Sequence, residues 1–422
     1  MKIALVTAYA LPEQGYQDGP LYRSLIKQGH QVRMFCSSLY PKWAKQMRDL
    51  YDKPLVEGIT QLDGGQIHRF ASRQLPRDII LCPAVAKAVR EFKPDMTYLN
   101  CVNTFFGSEL LSDRSLLSGV LFISFAEHSN QLKTALSWPV SYIRKVLLGT
   151  AFFLIKRPLS RKGIEASDAA LCLTPDTADF ILKRISHGRK REELRKKCVL
   201  FPLGFDSNIF YPSEKARQLQ RQQLGIRDDE IVCLYSCKIT PRKRLDIWVA
   251  AMVASMQKVK KLRAMLVGMH YGDTESDRTQ AMIEQSGFKD RFICLPFVSQ
   301  EKLAALYNAA DFGAWYRMVS VSIQQAMGTG LYMLLFDNPV VSHLIVDPKL
   351  GCYFEEGNFN QFEELVVKTA EAFAKDPELS GQRIRSERAE INQRRFSYDA
   401  LTKRLVAAAK DPVNAAAHLS FK

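Results

Sequence analysis

The chain has 422 residues, 47% hydrophobic and 24% charged, an ordinary globular composition that excludes disordered and fibrous classes and leaves room for two domains. Its 59 basic residues outnumber 44 acidic ones for a net charge of +15, and residues 1–200 alone hold 30 basic against 18 acidic side chains. The longest apolar run, Val146 to Ile155, has ten residues, against the roughly 20 that a membrane span requires.

Met1 to Thr7 lacks the long apolar run and small-residue cleavage site of a signal peptide, so a cytoplasmic protein is expected. The nine cysteines are odd in number and lie mostly in apolar segments, as reduced core thiols do. Cys233 and Cys237 have no second pair to complete a zinc site. The basic excess of the first half suits phosphates, anionic lipid or an acidic polymer. Runs such as Arg189-Lys190-Arg191 are equally readable as solvated helix faces.

Ile3 to Val6 reads as a buried parallel strand, followed by a loop over Ala10 to Gly19. Leu21, Leu25 and Ile26 have helical spacing, Gly29 caps that helix, and Val32, Met34 and Cys36 alternate as the next strand. Strands are predicted again at Met96–Leu99, Val120–Phe125 and Ala169–Leu173, with a helix over Pro139–Ile155. A linker at Val199–Asp206 interrupts the alternation, which restarts with a strand at Ile231–Cys237 and a helix from Leu245 to about Lys258. Strands at Ala264–Val267, Phe292–Leu295, Phe312–Trp315 and Tyr332–Phe336 follow, with helices over Gln300–Ala310 and Ser322–Thr329. This is an α/β chain of two similar, doubly wound units. No Gly-x-Gly-x-x-Gly follows a strand and no Walker motif is present, which argues against dehydrogenase and P-loop chemistry.

The segment Val199-Leu-Phe-Pro-Leu-Gly-Phe-Asp206-Ser-Asn-Ile-Phe-Tyr-Pro212 resembles the interdomain segment of retaining glycosyltransferases of family 4. The likeness extends to Gly29-His30-Gln31-Val32, to Leu173-Thr174, to Tyr235 through Asp246, and to Asp290 through Asp311. The resemblance implies a GT-B fold, two Rossmann-like domains facing across a cleft. It divides the chain into an acceptor-binding domain (1–200), a nucleotide-sugar domain (201–395) and a terminal helix (396–422) packing back toward the first domain. It implies transfer of a hexose-type sugar, with retention, from a UDP- or GDP-linked donor to a glycan or lipid-linked hydroxyl. A decayed relative that binds without turnover is the alternative. No cofactor, metal or nucleic acid is implied.

The chemistry asks for cations and helix N-termini aimed at a diphosphate leaving group. Lys238 and Lys243 match the family's diphosphate ligands, Lys238 standing where relatives have Arg. His128 resembles the histidine beside the reacting sugar and is the catalytic candidate, and Gly15 the glycine of the phosphate-approaching turn. The clearest departure is at Arg317 and Gln325, where relatives carry two glutamates separated by seven residues. Gln325 can still accept a hydrogen bond, but Arg317 inverts the charge. Either the donor sugar then carries a negative group, most simply a uronic acid, or a protein acid neutralises Arg317, with Glu355 and Glu356 as candidates. Tyr142 to Lys162, an apolar stretch with basic flanks, reads as a core helix or as an interfacial helix on an anionic membrane surface, peripheral at its inner face.

Overall fold

The computed structural model describes residues 1–12, 17–41, 55–76, 79–127, 129, 156–270 and 272–420. Gly15, His128 and the helix expected over 139–155 lie outside the described residues. The chain divides into two compact units, Met1–Pro202 with Tyr398–Lys422, and Leu203–Ser397.

The first unit begins β1 (Lys2–Thr7), α1 (Asp18–Lys27), β2 (Gln31–Ser37), β3 (Gly58–Leu62), β4 (Gly65–Phe70). A small hairpin, β5 (Arg73–Leu75) and β6 (Ile79–Leu81), leads to α2 (Pro83–Phe92), β7 (Met96–Leu99) and β8 (Val120–Phe125). Then come α3 (Arg157–Ala166), β9 (Ala169–Cys172), α4 (Pro175–Ile185), α5 (Gly188–Arg195) and β10 (Cys198–Leu200). The eight-stranded sheet runs β10-β9-β8-β7-β1-β2-β4-β3, parallel except for the antiparallel edge strand β3. Period-two alternation sends neighbouring strand residues to opposite faces. Ile3, Leu5, Met34 and Phe122 join a core with Leu21 and Leu25 of α1. Ala4, Val6, Phe35 and Ile123 join another with Val85 and Val89 of α2 and Ile181 of α4.

The second unit contains α6 (Glu214–Gln223), β11 (Ile231–Ser236), α7 (Leu245–Lys258), β12 (Leu262–Met269), α8 (Thr274–Gln285) and β13 (Phe292–Pro296). It continues with α9 (Gln300–Ala309), β14 (Phe312–Trp315), α10 (Val321–Gly328), β15 (Tyr332–Asp337), β16 (Gly351–Glu355), α11 (Phe359–Lys375) and α12 (Gln382–Phe396). Its all-parallel sheet runs β13-β12-β11-β14-β15-β16, the strand order of dinucleotide-binding folds, so the direction of winding reverses between β11 and β14. Tyr235 of β11 fills that junction, its ring 5.6 Å from Trp248 and 5.8 Å from Trp315.

Buried charge holds this unit's helices to its sheet. Asp311, 2% exposed, accepts from Arg217 Nη2 (2.6 Å), Ser380 Oγ (2.7 Å) and the Val232 amide (2.7 Å) and pairs with Arg221 at 3.3 Å. Arg385 of α12 is buried and donates to the carbonyls of Thr329, Ala310 and Tyr307, at 3.2, 2.8 and 2.9 Å. The chain then returns to the first unit as α13 (Tyr398–Lys410) and α14 (Ala415–Leu419), whose Leu401, Leu405 and Leu419 enter the core built on α1. No helix among the described residues is long and apolar enough to cross a membrane.

Candidate active site

Ligands of open α/β sheets bind beyond the carboxyl ends of strands where the winding reverses. In the second unit that place is the end of β11 beside the end of β14. Gly268 shapes it: at φ +115° a side chain there would put its Cβ 1.9 Å from the Cys237 carbonyl oxygen. Only glycine lets β12 pass so close to the exit of β11.

The end of β11 is fastened to the first turn of α10. The Ser236 carbonyl accepts from Ser322 Oγ (2.8 Å) and Trp315 Nε1 (3.1 Å), and its hydroxyl shares a 2.6 Å hydrogen bond with Tyr307 Oη. Tyr307 Oη also meets the Ser322 carbonyl at 3.1 Å, and Ser320 caps the helix by accepting from the Ser322 amide. The segment Tyr316–Ser320 is thereby held with the positive end of α10 behind it.

Lys243 ends a 3₁₀ turn, Pro241–Lys243, that leads into α7. Its half-buried ammonium lies 3.5 Å from the Met318 carbonyl, at a residue with φ +71°. Burial pushes its pKa below the ordinary lysine range, the Cys237 thiol opposing. No carboxylate pairs with it among the described residues. Lys238 is exposed beyond the end of β11, and burial likewise lowers its pKa, against the pull of Asp273. Gln325 is buried in α10. Lys238, Lys243 and Arg317 are thus brought to the same edge of adjacent strands, with Gln325 one helical turn inside.

Arg317 is not left alone. Its Nε lies 3.7 Å from Glu356 Oε1, and Glu356 Oε2 accepts from Asn338 Nδ2 at 2.7 Å. Glu356 is therefore the acid that neutralises it. Glu355 turns elsewhere and accepts from Asn358 Nδ2. The unpaired positive charge on which an acidic donor rested is absent.

The first unit carries a buried carboxylate at a strand-end cavity that has no clear sequence signal. At the ends of β1 and β7, where its own winding reverses, a cavity of about 190 Å³ is lined by Thr7, Tyr9, Asp18, Asn100 and Thr104 among others. The Asp18 carboxylate accepts from Thr7 Oγ1 (3.2 Å) and Asn100 Nδ2 (2.7 Å). Burial lifts its pKa to about 6 despite those two hydrogen bonds. In sequence, an acid in the first turn of a helix looks like ordinary dipole stabilisation. A carboxyl raised from 3.8 to about 6 binds its proton more tightly in the native state than in the unfolded chain. It costs stability progressively as pH rises from about 4 through 6, by up to about 3 kcal/mol. The melting temperature of Asp18→Asn should gain on wild type as pH goes from 4 to 7. A constant gap across that range would show that the burial penalty is not there.

Residues 216–382 match the family model described as glycosyl transferases group 1. The match lies within the second unit. A D-inositol 3-phosphate glycosyltransferase of Mycobacteroides abscessus is 29% identical over 153 residues, 36% of this chain and 32% of that protein. The chain matches between about a quarter and a half of the length of such curated relatives. Among solved structures, sucrose-phosphate synthase of Thermosynechococcus elongatus has a TM-score of 0.67 at 16% identity, covering 98% of this chain and 99% of that one. HepE of Anabaena in complex with UDP gives 0.66 at 14% identity, over 97% and 100% of the two chains, and its UDP-glucose complex also matches. The fold is GT-B.

Proposed function

We propose that the protein transfers a sugar from a nucleotide-sugar donor to a hydroxyl of a glycan or lipid-linked acceptor, with retention of configuration. The observation that carries this reading is the approach of Lys243 to Met318, ahead of the capped α10, where the second sheet reverses its winding. In the reaction the glycosidic bond breaks and the diphosphate leaves with growing negative charge. Lys243 and Lys238 would meet that charge, together with the amides at the head of α10. A half-buried ammonium interacts more strongly with it than an exposed one, because less water screens the pair. Gln325 would accept from a ribose hydroxyl. His128 and Gly15 are proposed for the reacting sugar and the phosphate turn on the resemblance of their motifs.

The UDP complexes of HepE and the ADP complex of a starch synthase from Arabidopsis thaliana favour a nucleoside diphosphate as the common element of the donor. UDP and GDP are the nucleotides of the donor in this reading. The first unit would hold the acceptor, and its basic surplus would favour an anionic, peripheral membrane surface.

Thermal shift against UDP, GDP and ADP tests the reading, since a ligand at 100 times its Kd stabilises by about 2.7 kcal/mol. The expected result is a shift with UDP or GDP, followed by turnover of the matching sugar nucleotide to a product whose anomeric configuration, read by NMR, is that of the donor. No shift with any nucleotide would overturn it, and an inverted product would overturn retention.

A further inference from the structure

We infer that Arg317, Asn338 and Glu356 form a charge-neutral hydroxyl-reading array that selects an uncharged donor sugar and rejects an anionic one. The inference rests on the nucleotide-sugar reading above and names the sugar class for that site.

The three residues follow the carboxyl ends of β14, β15 and β16, which are consecutive neighbours in the sheet. They therefore line one continuous edge. That edge begins beside the candidate diphosphate cations, because Arg317 immediately precedes Met318, whose carbonyl Lys243 approaches. On the other side of β11 the same edge presents different chemistry. His270 follows β12 and is exposed, and Phe297 follows β13 with 53% of its surface exposed. A planar base finds a stacking partner on the aromatic side. A hydroxylated ring finds donors and acceptors on the polar side.

The geometry of the array fixes its charge preference. At 3.7 Å the Arg317–Glu356 contact is an ion pair longer than a hydrogen bond, so neither group is saturated by the other. Their side chains remain 34% and 26% exposed, so neither is shut off from a ligand. The guanidinium offers only donors and the ionised carboxylate only acceptors. A sugar hydroxyl, which does both, can bridge them. Asn338 holds the second carboxylate oxygen at 2.7 Å, which fixes where Glu356 points. A uronate carboxylate arriving at Arg317 would stand beside Glu356, and two carboxylates that close oppose each other's ionisation.

The test measures affinities of UDP, UDP-glucose and UDP-glucuronate, or the GDP counterparts GDP-mannose and GDP-mannuronate, for wild type, Glu356→Gln and Arg317→Met. Wild type should bind the neutral sugar nucleotide at least tenfold more tightly than the anionic one. Glu356→Gln should reduce or invert that ratio by about tenfold, because it leaves Arg317 uncompensated. Arg317→Met should weaken both sugar nucleotides while leaving the bare nucleoside diphosphate within about twofold of wild type. If the diphosphate binds all three proteins equally but the neutral-to-anionic ratio does not change in Glu356→Gln, the inference is overturned and the functional reading stands. If neither UDP nor GDP binds wild type, both fall together. Unchanged melting temperatures of the two variants show that any loss is local.

Discussion

Replacing Lys243 with Ala should lower kcat/KM for sugar transfer by roughly 10²- to 10³-fold, the usual cost of removing one group that stabilises a developing oxyanion. The ammonium is half-buried and donates to a neutral carbonyl rather than to a carboxylate, so its charge is available to a ligand. The loss should appear in kcat as well as KM, because the diphosphate is more negative when leaving than when bound as a donor. Lys238→Ala should cost less, since Lys238 is exposed. The double variant should lose less than the sum, because both cations would serve one diphosphate. Burial also lowers the Lys243 pKa, so the cationic form disappears as pH rises below the ordinary lysine range. The alkaline limb of the rate profile should reflect that and vanish in Lys243→Ala. Normal turnover by this variant would remove the diphosphate from this edge.

Asp311→Ala should be the most destabilising single change in the second unit. Removing the carboxylate leaves Arg217 and Arg221 without their counter-ion, and breaking one side of a buried pair costs about 3–5 kcal/mol. It also strands the Val232 amide and Ser380 hydroxyl, which otherwise find an acceptor in Asp311. Against a typical total of about 5–15 kcal/mol, that is a large fraction. Asp311→Asn keeps a hydrogen-bond acceptor and should lose less. Burial raises the Asp311 pKa, but Arg217 and Arg221, the Ser380 hydroxyl and the Val232 amide outweigh it, and the carboxyl ends below its ordinary value of 3.8. Its contribution is therefore present above about pH 4 and lost as pH falls through the depressed native value. Urea titration at pH 7 and at pH 3 should show the wild-type advantage narrowing at the lower pH. A midpoint shift equivalent to less than about 1 kcal/mol at pH 7 would mean that the arginines find other partners.

Much of the strand framework is legible in the sequence, because parallel strands covered on both faces are continuous apolar runs. Ile3–Val6, Ile231–Cys237 and Tyr332–Phe336 lie within one residue of β1, β11 and β15. The elements that escape that logic are those whose partners are not hydrophobic. α12 opens Gln-Arg-Ile-Arg-Ser-Glu-Arg and looks solvent-facing, yet Arg385 and Arg388 are buried on its inward side and donate to main-chain carbonyls. The edge strand β3 is mostly exposed and carries no buried stripe to betray it.

The candidate site divides the same way. Lys238 and Arg317 follow apolar strands, so their place at a strand end can be counted out from the sequence. Which acid meets Arg317 cannot. Glu355 and Glu356 are adjacent, and as the chain leaves β16 they meet different neighbours, Asn358 for one and Arg317 with Asn338 for the other. Asp18 is illegible for a related reason. Its raised pKa comes from burial in a pocket shared with Thr7 and Asn100, which lie 11 and 82 residues away in sequence.

The return of α13 and α14 to the first unit has a consequence for how the chain is made. Everything the second unit packs together lies between Leu203 and Ser397, so its core needs nothing made after Ser397. The first unit cannot finish then. Leu21 and Leu25 of α1 share a cluster with Leu401 and Leu405, residues that follow only after the roughly two hundred positions of the second unit inserted between the two parts of the first. At about 5–20 residues per second, that is a wait on the order of 10–40 seconds with one apolar face uncovered. The half made first is thus the half completed last.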